Sequence, residues 1–155
     1  MQQLWTAIIA AYARPGVAAL CLRLQADGDI DVMLLLALCY AGATLNAPLT
    51  PDEVGAVRAL SEPWRATAVR PARQLRIALR APVPAVPDDA RESLRERLKA
   101  AELASEQIQA DIIARWLTTR TGPAAATPYP GLRALLAQTP ATDAELALLL
   151  DAFRR

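Results

Sequence analysis

The sequence predicts an all-α fold, and three observations carry that expectation. Ala, Leu and Arg dominate, while aromatic residues make up only 5% of the chain. These are strong helix formers, and the β-branched and aromatic types that favour strands are thin and scattered. Apolar residues recur at spacings of three and four through most of the chain. Two Thr-x-x-Glu capping boxes, Thr50 to Glu53 and Thr142 to Glu145, mark helix starts. The 155 residues suit one domain with a core of its own. It is expected as a bundle of six or seven helices, with residues 1–119 as core bundle, 120–130 as a flexible loop and 131–155 as C-terminal helices.

The first helix is expected from about Leu4 to Ala13, with Leu4, Trp5, Ile8, Ile9 and Tyr12 on one side. Arg14-Pro15-Gly16 stops it, because proline cannot donate a helix hydrogen bond and disfavours helical geometry at the preceding residue. In the second helix Val17, Leu20, Cys21 and Leu24 form a core-facing stripe. Asp27-Gly28-Asp29 signals a turn, with Asp29 the expected cap of a third helix over Ile30 to Ala43. That helix is apolar nearly all round, so it should lie at the centre. Its one charge, Asp31, falls where the helix dipole favours an anion.

Thr50-Pro51-Asp52-Glu53 starts a fourth helix, running to about Leu60. Ser61-Glu62-Pro63 restarts or bends it into an arginine-rich helix reaching Arg80, which Pro71 should kink. Ala81 to Pro87 is a proline-rich, extended connector. The longest helix follows, about Asp89 to Thr119. In it Leu94, Leu98, Ala101, Ser105, Ile108, Ile112 and Trp116 make a heptad-like seam suited to packing along another long helix. Residues 121–130 read as a Gly/Pro/Ala/Thr loop. Short helices from Gly131 to Gln138 and from Thr142 onward complete the chain.

Histidine is absent, which excludes Ser-His-Asp and Cys-His catalysis and any imidazole metal site. The only two cysteines, Cys21 and Cys39, sit among apolar residues and read as small buried hydrophobes, a disulfide being the alternative. No signal peptide is evident, so a reducing cytoplasm is the expected setting. The longest apolar run, Ile30 to Ala43, is too short to span a bilayer. No phosphate-cradling glycine loop is present. Neither a metal nor a cofactor is expected, and no catalytic residue stands out.

Against a net charge of +1, Trp64 to Arg80 carries five arginines and no acid. Arg70, Arg73, Arg76 and Arg80 fall within an arc of about 120° on one helix face. Ala68, Ala72, Leu75 and Leu79 lie opposite. Two readings follow. The arginines pair with Glu102 and Glu106, which repel one another one turn apart unless a cation intervenes. Alternatively, they bind an acidic protein partner or an anionic small molecule. Nucleic acid is disfavoured by the pI of about 7.8, the single lysine and the lack of a stacking platform. Tyr12, Arg23, Gln25 and Asp31 come from neighbouring predicted helices and form a second candidate polar cluster. Its plainer reading is a network satisfying helix ends.

Leu4-Trp5, Tyr12-Ala13-Arg14-Pro15-Gly16-Val17, Cys21-Leu22-Arg23-Leu24-Gln25 and Asp31-Val32-Met33-Leu34-Leu35 together form a signature. Through these blocks the chain resembles an uncharacterised family of small helical proteobacterial proteins. The likeness continues more loosely through Trp64, Arg70-Pro71, Arg73, Arg76 and Glu102 to Glu106. It implies a bacterial, cytoplasmic, all-helical protein and brings no activity with it. The leading expectation is a non-enzymatic interaction or regulatory module using the arginine face. The alternative is a small helical enzyme or ligand-binding protein gripping an anion between the arginine-rich and long helices. The heptad-like seam leaves a homodimer open.

Overall fold

In the computed structural model, which describes residues 2–121, 129–139 and 141–154, every regular element is helical. In chain order these are α1 (Gln2–Tyr12), α2 (Val17–Gly28), α3 (Val32–Ala43) and α4 (Pro51–Trp64). A π-helical segment (Arg65–Val69) joins α4 to α5 (Arg70–Ala78). Then come α6 (Asp88–Thr119), α7 (Pro130–Leu135) and α8 (Asp143–Asp151). Because α4, the π segment and α5 follow without a break, the described residues make seven helical runs. The expected all-α domain is built as two compact units: Met1–Leu60 with Ala110–Arg155, and Ser61–Gln109.

In the first unit α3 is the central element. Every residue from Val32 to Gly42 is buried, as an all-round apolar helix requires. It meets α1, α7 and α8. Around it lie Leu4, Ile8 and Ala11 of α1, Val17, Leu20, Cys21 and Leu24 of α2, and Ile113 from the end of α6. α7 and α8 bring Leu132, Leu146, Leu149 and Leu150 to the same core, followed by Phe153. Both cysteines are free and buried. Burial pushes the Cys21 thiol up to about 11 and raises that of Cys39 as well, which keeps them protonated and unreactive.

Local chemistry explains the boundaries. Gly16 precedes α2 at φ 83, a left-handed conformation that costs glycine nothing. Both capping boxes form: Thr50 with Glu53, and Thr142 with Glu145. Gly131 lets α7 approach the chain ahead of α4. Its N–H donates to the Leu49 carbonyl at 3.1 Å, and an added Cβ would stand 2.5 Å from that oxygen.

Several expectations are corrected. Asp29 does not cap α3: it ends α2 in a left-handed conformation at φ 48, its N–H bonded to Gln25. The cap is Asp31, whose carboxylate accepts from the Leu34 N–H at 3.1 Å. Ile9 faces outward, and Ala11 takes the inward position. The break at Ser61 to Pro63 does not occur, and helix continues through Pro63. The irregularity lies in the π turn, where the Arg70 N–H reaches back to the Arg65 carbonyl. That wider turn sits one turn ahead of Pro71, where the proline ring crowds the preceding carbonyls. α7 ends at Leu135, earlier than expected. Of the expected loop at 120–130, residues 122–128 lie outside the described residues.

Among the described residues no single helix is long and apolar enough to cross a membrane. Gln3–Tyr12 and Val17–Gly28 are together long and apolar enough but meet at a 96° bend, and both helices contribute to the core described above.

Candidate functional site

The second unit, Ser61–Gln109, is a helical hairpin: the end of α4, the π segment and α5, then the connector and most of α6. Its interior inverts the usual polarity. Its buried residues are Ser61, Arg65, Val69, Glu102, Ser105 and Gln109, of which only Val69 is apolar. Large apolar side chains lie outside instead: Leu75, Ile77, Val83, Val86, Leu94, Leu103 and Ile108 are all exposed.

The interior is an arginine–glutamate seam. Arg73 Nε donates to Glu102 Oε1 at 2.6 Å, and its Nη2 to Glu106 Oε1 at 2.6 Å. Arg76 takes Glu102 from the other side, Nε to Oε2 at 2.5 Å and Nη2 to Oε1 at 3.2 Å. Glu102 thus receives a guanidinium fork from Arg76, the geometry in which Arg–carboxylate pairs are strongest, and a single bond from Arg73, which bridges it to Glu106. Arg73 also removes the repulsion between Glu102 and Glu106. At the open end, the Trp64 indole donates to the Ser105 carbonyl at 2.9 Å, while the Ser105 hydroxyl donates to the Glu102 carbonyl at 2.6 Å. Toward the connector, Arg95 Nε reaches the Arg76 carbonyl at 3.4 Å. The partners fall from Ser105 opposite Trp64 to Arg95 opposite Arg76, so the two arms run antiparallel.

Burial pushes the Glu102 carboxyl up, yet its hydrogen bonds from Arg76 and Arg73 outweigh that and hold it below the usual carboxylate range. The Arg76 guanidinium is raised in turn, chiefly by its bond to Glu102. Both groups are charged at neutral pH, and each compensates the other. Such a network is tolerable inside a protein only because its charges are paired and its hydrogen bonds made.

The four arginines of the predicted face therefore divide. Arg73 and Arg76 are engaged with the two glutamates, as the ion-pair expectation has it. Arg70 pairs with Glu62 at 2.6 Å across the π turn. Arg80 is exposed, one turn beyond Arg76. The heptad-like seam holds only in part: Ser105 turns inward as expected and Leu98 is half-buried, but Leu94 is 46% and Ile108 45% exposed, and Glu102 and Gln109 take the inward positions beside Ser105. The packing stripe of α6 in this unit is polar.

The second candidate cluster contributes a helix cap and two ion pairs. Arg23 binds Glu145 at 2.6 Å and Asp27 at 3.2 Å. Asp31 caps α3, while Tyr12 and Gln25 are half-buried. One engaged residue was not anticipated. Arg120 clasps Glu53 at 2.5 and 2.9 Å and also donates to the Ala47 and Pro48 carbonyls. Its signal was faint, a single arginine just beyond a long helix.

A family model described as Protein of unknown function (DUF2390) matches residues 3–113, and the chain belongs to that family. Neither the curated proteins nor the solved structures yield a match.

Proposed function

We propose that the chain is a non-enzymatic protein-interaction module. Its docking surface is the outer face of α5 and the connector, and its partner is an acidic amphipathic segment of another protein. The observation that carries this reading is the inverted hairpin, with ion pairs inside and leucines outside. Large exposed apolar side chains gathered in one short stretch of chain suit a contact surface. From Trp64 to Pro87 there is no acidic residue, while Leu75, Ile77, Val83 and Val86 are exposed along with Arg80. Apolar anchors near Arg80, which no described carboxylate pairs with, complement a helix that carries leucines on one side and carboxylates on the other.

The reading moves the contact away from Arg73 and Arg76. An external anion gripping them would have to displace Glu102 and Glu106, at the cost of leaving buried carboxylates unpaired. That weighs against a ligand held between the arginine-rich and long helices. A reducing bacterial cytoplasm accords with the two free thiols.

A photo-crosslinking side chain at position 75 of the full chain tests this in cells. The expected adduct is one partner protein, joined through an acidic amphipathic peptide and lost when Arg80→Glu is added. No adduct, an adduct to a neutral or basic segment, or an adduct to a second copy of this chain would each overturn the proposal.

A further inference from the structure

The geometry points to a second binding site, in the first unit and independent of the docking face: a cleft for a small amphipathic monocarboxylate. The cleft has a volume of about 590 Å³, within the range of small-ligand sites. One wall is the outward side of α1, where Thr6, Ala7 and Ala10 are short enough to leave a trough. Its floor is aromatic: Tyr40 of α3 and Phe153 after α8 meet edge to face with ring centroids 6.2 Å apart.

One end of this trough is cationic. Arg14, in the turn after α1, donates from Nη1 to the Asp151 carbonyl at 3.1 Å and from Nη2 to the Arg154 carbonyl at 3.5 Å. These acceptors are neutral, and among the described residues no carboxylate pairs with Arg14. Arg154 also lines the cleft, and its guanidinium binds the Asp151 carboxylate at 2.6 Å. Among the described residues the Asp151 carboxylate thus offsets Arg154, and the charge of Arg14 is left in excess. Arg14 retains N–H donors beyond the two it spends on carbonyls.

That surplus selects the ligand class. A single carboxylate matches one excess charge and suits the planar guanidinium fork. A phosphate monoester would bring a second negative charge, which no described residue of the cleft matches. The apolar body of the ligand would lie on Tyr40 and Phe153 beside Ala7 and Ala10. An aromatic ring or a short alkyl chain fills that floor, and the T-shaped pair offers an edge for stacking.

Titration of the full-length protein with 4-phenylbutyrate, followed by calorimetry and by the Tyr40 and Phe153 ring resonances, tests the site. Neutral 4-phenylbutanol and phenyl phosphate serve as comparison probes. The carboxylate should bind and shift both rings, with the alcohol weaker by about tenfold, roughly one charge-assisted contact. Arg14→Gln, which keeps an N–H for the Asp151 carbonyl, should lower affinity for the carboxylate to that of the alcohol. Thr6→Trp, on the exposed side of α1, should block both, which keeps the test decisive if Arg14→Gln fails to fold. Equal binding of acid and alcohol, tighter binding of phenyl phosphate, full binding by either variant, or no ring shift in wild type would overturn the inference.

Discussion

Glu102 is the residue on which the hairpin turns, because two arginines depend on it and it is almost wholly buried. Removing its charge leaves Arg73 and Arg76 partly unpaired in a desolvated place. Glu102→Gln should therefore cost about 3 kcal/mol, in the range for breaking a buried ion pair. Denaturant unfolding followed by Trp64 fluorescence in a variant lacking the other two tryptophans checks this. The same carboxyl fixes the pH dependence. Its pKa is depressed in the folded state, so its stabilisation is complete above the unfolded value of 4.5 and is lost as pH falls through the lower folded value. Trp64 should thus report loosening of the hairpin in acid, and the response should vanish in Glu102→Gln. At Gly131 the constraint is steric: a methyl group would press on the Leu49 carbonyl and the Val54 side chain. Gly131→Ala should destabilise by about 2 kcal/mol, as overpacking does, measured as a shift in denaturant midpoint.

At the scale of elements, legibility followed whether the deciding chemistry was local. The capping boxes at Thr50 and Thr142, the Arg14 to Gly16 stop and the apolar girth of α3 are short-range features, and each appears where the residues indicate. Asp29 and Asp31 compete for one role two residues apart, and only backbone geometry decides that Asp31 caps. α6 shows the opposite case. Its heptad-like residues Leu94, Ala101 and Ile108 are genuine, but apolar spacing says only that they share a face, not which face is buried. Here the neighbouring helix brings arginines, whose partners lie 26 to 33 positions away in sequence. A carboxylate on α6 is then worth more inside than a leucine. Leu94→Gln and Ile108→Gln should each change stability by only about 0.5 kcal/mol, the usual range for exposed sites. Had these residues formed the seam, thermal or denaturant unfolding would show losses of about 2–5 kcal/mol.

For the whole molecule, the two units rest on different physics. The first is an ordinary apolar core around α3, completed from the far end of the chain by α7 and α8. A chain ended at Thr119 would leave α3 without Leu132, Leu149 and Leu150 and should not give a cooperative unfolding transition. The second unit holds its arms together through charge and hydrogen bonds and leaves its leucines to the surface. Composition alone pointed to the arginines as the contact surface, since in sequence they are the conspicuous block. Arg73 and Arg76 are instead spent on Glu102 and Glu106, and the proposed docking face falls to the exposed apolar residues around Arg80. The most direct test is hydrogen exchange of the double reversal Arg73→Glu/Arg76→Glu against wild type. An internal seam predicts that backbone amides across Ser61–Gln109 lose their protection. Native protection retained throughout that segment would show the two arginines to be free surface groups and would contradict the account.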